Sequence, residues 1–139
     1  MKQLFFIIFF LFSFHSFAQC SSDSFYDSCS TNLGKAIFIK AYNISSTNFK
    51  KGESSLEYGY IYSKGTTYII TACDTENNKM IVELYDRTKK IIASNYDKTN
   101  RTFNPKISYS CSETGVYYSK YKFKNETEGC GISLLGFIK

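Results

Sequence analysis

The chain has 139 residues, a formal charge of +5 and an aromatic content of 18% without tryptophan. That length bounds it to one modest domain. Its lysines are scattered as Lys50-Lys51, Lys89-Lys90 and Lys120/Lys122/Lys124, with no basic block dense enough for a nucleic-acid interface. The one histidine, His15, lies in an apolar N-terminal run, so the rest of the chain lacks the imidazole on which Ser-His and Cys-His nucleophiles and many metal sites depend.

Lys2 followed by the apolar run Leu4 to Phe14, with small residues at Ser16 and Ala18, has the shape of a secretory signal peptide. A transmembrane helix needs about 20 apolar residues, more than this run supplies. The expectation is a leader over residues 1–19, cleaved after Ala18 or Gln19, and a single domain over residues 20–139. Removing Lys2 lowers the formal charge by one. Cys20 is a candidate for lipidation because it directly follows the apolar segment, and membrane attachment is expected only in that case. Against it, Phe17-Ala18-Gln19 departs from the Leu-x-Gly/Ala pattern of bacterial lipoprotein signals.

Asp23 to Asn32 is polar and can form one or two helical turns or none. Ala36 to Ile44 is predicted as a first strand with Phe38 in the core. Leu56 to Tyr62 alternates Leu56, Tyr58, Tyr60 and Tyr62 on one face. The turn Ser63-Lys64-Gly65 leads to a third strand, Thr66 to Cys73. Met80 to Tyr85 directs Met80, Val82 and Leu84 one way, and Lys90 to Asn95 follows a tight connection. After a polar loop holding the only proline come Lys106 to Cys111, a turn at Ser112–Gly115 in which Gly115 is able to take a positive φ, and a strand with Tyr117, Ser119, Tyr121 and Phe123 on one face. Cys130 to Ile138 closes the series. Eight short strands at this spacing, with twelve tyrosines suited to half-buried pleated surfaces, predict an all-β sandwich or barrel.

The order of motifs resembles the bacterial pre-peptidase C-terminal type of secreted domain. Ser63-Lys64-Gly65-Thr66-Thr67-Tyr68 is similar to its Gly turn before a Tyr-bearing strand. Val82-Glu83-Leu84-Tyr85-Asp86 is similar to its strand ending in "LYD", and Ile91-Ile92-Ala93-Ser94 to the strand that follows. Ile107-Ser108-Tyr109 and Thr114-Gly115-Val116-Tyr117-Tyr118 match its "tG-Yy" pair. The resemblance spans residues 56–138 and implies a jelly-roll-like antiparallel β-sandwich of about eight strands. It departs from the family in lacking an attached catalytic domain and in carrying cysteines that the family does not require.

The spacing of Cys20, Cys29, Cys73, Cys111 and Cys130 excludes a metal knuckle and, in an exported chain, points to disulfides. If residues 56–62 and 66–73 form a hairpin and residues 106–111 pair with the first of these strands, Cys73 and Cys111 reach the same end. A Cys73–Cys111 bridge is therefore expected, with Cys29–Cys130 left by elimination and Cys20 as the odd cysteine. No motif asks for a cofactor or a metal; Asp74, Glu76 and Asn77 offer a hard cation too few oxygens. Tyr118, on a strand face with Lys120 and Lys122, and Tyr96, beside Asp97 and Lys98, are the candidate ligand-binding residues. These features predict a non-catalytic extracytoplasmic module, secreted or held in the cell envelope, that recognises an extracellular protein or polysaccharide. The alternative is a small hydrolase or inhibitor working through loop carboxylates such as Glu126 and Glu128.

Overall fold

The computed structural model describes residues 20–21, 23–74, 79–126 and 128–139. The expected leader, and Glu76 and Asn77 of the polar loop, lie outside them. The chain runs through α1 (Asp23–Leu33), β1 (Ile37–Ser45), β2 (Ser55–Tyr62), β3 (Thr67–Thr71), β4 (Cys73–Asp74), β5 (Met80–Tyr85), β6 (Ile91–Ser94), β7 (Tyr96–Asp97), β8 (Thr102–Phe103), β9 (Lys106–Ser110), β10 (Gly115–Phe123) and β11 (Cys130–Ile138). Two antiparallel sheets face each other. Sheet one has the order β1-β11-β3-β9, with β4 continuing along β11, and sheet two has the order β2-β10-β5-β6. A short ribbon, β7-β8, lies to the side.

Alternation places the core. Leu84, Val82, Met80, Tyr117, Tyr121 and Phe123 of sheet two meet Ile70, Tyr68, Ile107 and Leu135 of sheet one between the layers. The opposite face of sheet one is covered by α1, whose Cys29 and Leu33 pack with Ile69, Ile132 and Leu134. The helix therefore runs a full turn longer than its Ser- and Asp-rich composition suggests, because Phe25, Cys29 and Leu33 recur every four residues and are buried against the sheet.

Several expectations are corrected. Residues 63–66 do not close a hairpin: β2 belongs to sheet two and β3 to sheet one, so the turn, with Gly65 at φ +83°, crosses between layers. The same holds for the connection from β9 to β10, and Gly115 is not among the glycines at positive φ. Phe38 is 47% exposed instead of buried. A bulge between Phe38 and Lys40 inserts an extra residue against β11, and a one-residue shift exchanges the two faces of a strand.

These pairings also overturn the expected disulfides. The bonds are Cys20–Cys130 and Cys29–Cys73, with Cα–Cα separations of 5.5 and 5.7 Å, and Cys111 is the free, buried cysteine. β9 pairs with β3, Thr67 opposite Ser110 and Thr71 opposite Lys106, so Cys111 lies beside Thr66 while Cys73 lies beyond the other end of β3. Six residues of extended chain separate the two ends, about 20 Å, far beyond disulfide reach. Cys111 instead donates its thiol to the Glu113 carbonyl at 3.1 Å. The Cys20 sulfur, bonded to Cys130, has no valence left for a thioether lipid.

Candidate functional site

With α1 on the outside of sheet one, the outer face of sheet two is the one left open among the described residues. On β10, Tyr117, Ser119, Tyr121 and Phe123 point into the core as the alternation predicts, which turns Val116, Tyr118, Lys120 and Lys122 outward. Register fixes their neighbours. Val116 lies opposite Ile61, Tyr118 between Gly59 and Tyr85, and Lys120 between Glu57 and Glu83. The half nearer the turns is thus apolar and aromatic, and the other half is charged.

Glu83 organises the charged half. It faces outward yet is only 5% exposed, so its carboxylate must be paired. Lys122 Nζ lies 2.8 Å from one oxygen, and the Tyr85 hydroxyl donates to the other at 2.7 Å. Burial opposes ionisation of Glu83, but the hydrogen bonds from Lys122 and then Tyr85 outweigh it and hold the carboxyl below its ordinary range. Burial first, then the bond to Glu83, pushes the Tyr85 phenol up to about 12. Because the folded Glu83 is the stronger acid, its contribution to stability is complete above the unfolded carboxyl's pKa of about 4.3 and is lost as pH falls through the lower folded value. A Glu83→Gln variant should therefore lose less stability than the unsubstituted chain between neutral pH and this acid window, as read from urea midpoints.

The turn from β5 to β6 supplies a strap across the aromatic half. Asp86 accepts from the backbone N–H of Thr88 and of Lys90, at 2.8 and 3.0 Å, and leaves Lys89 at φ +64°. Lys89 then reaches over β10 to pair with Glu57 on β2, and its ammonium lies 3.2 Å from the centroid of the Tyr118 ring. The ring itself leans over Gly59, where an added Cβ would meet its Cε1 at 3.4 Å. Lys120 lies between two carboxylates that are already held by Lys89 and Lys122, and is in no ion pair among the described residues.

Tyr118 and Lys120 thus share one face, but Tyr96 does not join them. Its ring packs at 4.5 Å against Phe103 on the β7-β8 ribbon, with Lys124 Nζ 5.3 Å away. Lys124 is six residues beyond Tyr118 along the chain, about 20 Å of strand. Two hollows lie elsewhere. One of about 440 Å³ is lined by Glu53, Glu126 and Glu128 with Ser46 and Phe49. Another, of about 300 Å³ among the turns, includes Tyr109 and Tyr117, and the Arg87–Glu113 ion pair of 3.2 Å belongs to its rim.

No family model matches the chain, and a comparison with curated protein sequences finds no match. Among solved structures, it is similar to PliG of Aeromonas hydrophila, a periplasmic lysozyme inhibitor of g-type lysozyme. The TM-score is 0.52 at 11% identity, over 75% of this chain and 89% of that one. The likeness is one of fold. A pre-peptidase C-terminal domain, of the type the motifs resemble, is also found: that of the Bacillus anthracis collagenase, with a TM-score of 0.48 at 12% identity, over 73% of this chain and 90% of that one. The sandwich architecture read from strand spacing is the one observed.

Among the parts of the face that the sequence did not single out are Glu83 and Lys89. Glu83 leaves a trace, as the lone charge within the otherwise apolar-aromatic strand MIVELY. Lys89 leaves none, because its reach over Tyr118 depends on the turn conformation.

Proposed function

We propose that the chain is a non-catalytic, extracytoplasmic recognition module whose ligand, an extracellular protein or polysaccharide, seats on the outer face of sheet two. One observation carries this reading: α1 covers one sheet while the other presents Tyr118, Tyr85, Ile61 and Val116 beside Lys120, with no described helix or strand laid over them and only the Lys89 side chain reaching across Tyr118. Aromatic side chains are enriched at interface centres, and a cation at their margin suits the polar rim. The two disulfides fit an oxidising compartment, secreted or periplasmic. Engagement of Cys20 in one of them favours a protein without a lipid anchor.

The test is capture from native envelope and culture fluid, together with titration against a panel of surface polysaccharides. Tyr118→Ala and Lys120→Glu should each weaken binding by about tenfold or more, while Tyr96→Ala leaves it unchanged. Equal retention by all three variants would remove the face from consideration.

A second reading, a hydrolase or inhibitor, is favoured by the hollow that gathers Glu53, Glu126 and Glu128. The fold shared with a periplasmic lysozyme inhibitor adds lysozyme inhibition to the assays worth running. Reducing-end release from polysaccharides that disappears in Glu128→Gln, or inhibition of a lysozyme that survives Tyr118→Ala, would move the conclusion to this reading.

A further inference from the structure

Each sheet of the sandwich ends in two edge strands, and an edge strand is a template for pairing unless something blunts it. Three of the four are blunted. β1 carries the bulge between Phe38 and Lys40, with Lys40 exposed. β6 has four residues and an irregular register against β5. β9 has five residues, begins at Lys106 and follows Pro105. β2 has none of these devices. It is eight residues long, keeps unbroken register with β10, contains neither proline nor a basic residue, and has no strand on its other side among the described residues.

The outer face of β2 also has a knob and a hole. Ile61 is 64% exposed, more than any other large hydrophobic residue described. Two residues before it on the same face is Gly59, which has no side chain, and Gly59, Tyr60, Ile61 and Val116 line an apolar hollow of about 450 Å³. Antiparallel pairing of β2 with a second β2 centred on Tyr60 sets Ile61 of each strand opposite Gly59 of the other. Such a contact is isologous: the same pair of residues is used twice about a two-fold axis. Each Ile61 then fills the space over its partner's Gly59, beside Tyr118 and Val116. A glycine inside a strand often marks such an approach of another chain.

We infer that the protein forms a two-fold dimer by antiparallel pairing of β2 with β2 of a second copy, joining the two four-stranded sheets into one of eight strands. In this register residues 58–62 of the two strands pair, a contact one strand wide and about 16 Å long that buries less than the roughly 1,200 Å² of the usual stable interface. The dimer is therefore weak and reversible, populated at high concentration. It also sets two copies of the outer face of sheet two side by side, which would raise the avidity of any ligand seated there for a repetitive surface. The pairing does not depend on that ligand.

Analytical ultracentrifugation of the disulfide-intact chain, without ligand, from micromolar to near-millimolar concentration, is the test. The expected result is a sedimenting mass that rises towards twice the monomer's. Ile61→Lys should abolish the rise, while Ile91→Lys, at the exposed isoleucine of the opposite edge strand, should keep it. Hydrogen exchange of the unsubstituted chain adds a readout that needs no variant: amides of β2, and not those of β1, should exchange more slowly as concentration rises. A monomer at every concentration overturns the inference, as does a dimer that persists in Ile61→Lys or one that leaves β2 exchange unchanged.

Discussion

Replacing Cys29 and Cys73 together by alanine is expected to cost about 3–4 kcal/mol of stability, the chain entropy that a cross-link across 44 residues withholds from the unfolded state. The double substitution leaves no unpaired thiol at the site, so the loss reports the bond. It should be felt first in α1. The helix is rich in Ser, Asp and Asn, which are weak helix formers, and isolated helices of this length are marginal in water. Its attachment consists of the disulfide and the burial of Phe25, Cys29 and Leu33, with the Thr71 hydroxyl 2.9 Å from the Cys29 sulfur. Urea denaturation under non-reducing conditions gives the magnitude, and hydrogen exchange should show α1 amides losing more protection than those of β10. Peptide mapping of the unsubstituted chain should recover Cys20 joined to Cys130 and Cys29 to Cys73, with Cys111 alkylated only after unfolding. A double variant within about 1 kcal/mol of the parent, the range of an ordinary substitution, would mean that the helix is held by packing alone.

The pairings of those cysteines mark where the sequence stops being informative. Alternation along one strand reports which side chains share a face, so Tyr117, Tyr121 and Phe123 were legible as core residues, and Met80–Tyr85 and Cys130–Ile138 as strands to the residue. Alternation does not report which strand lies alongside. The turn Ser63-Lys64-Gly65 with its positive φ serves equally to fold a chain back within one sheet or to carry it across to the other. The second outcome prevails because Tyr62 and Tyr68, on either side of the turn, stack on each other from opposite layers. A contact of that kind is non-local in effect although its residues are close in sequence. Once the turn is taken as a hairpin, every disulfide deduced from strand order is displaced. The face holding Tyr118 and Lys120 was legible for the same reason as the core, since it is the other half of one alternation. That Tyr96 stands apart from this face was not, because Tyr96 lies on a ribbon outside both sheets.

Tyr62 is where the two layers are joined, and its removal should have the largest effect of any single core substitution argued here. Its ring, 1% exposed, stacks on Tyr68 of sheet one at 3.8 Å and on Tyr117 of its own sheet at 4.9 Å, with interplanar angles of 12° and 17°. Tyr109 of β9 extends the group at 5.6 Å from Tyr117. Burial pushes the Tyr62 phenol well above its ordinary range, so the residue is neutral at physiological pH. Tyr62→Ala removes a whole ring and leaves a void between layers, for which aromatic-to-alanine changes cost about 3–5 kcal/mol. Against a typical total of about 5–15 kcal/mol, this is a large fraction. Tyr62→Phe keeps the stack and removes only the hydroxyl, a change expected to cost about 1 kcal/mol. The difference between these two variants in urea midpoint isolates the ring from its hydroxyl, and near-ultraviolet circular dichroism should lose its tyrosine signal in the alanine variant alone. If the two variants are equally destabilised, the Tyr62 hydroxyl and not the stacked rings couples sheet one to sheet two.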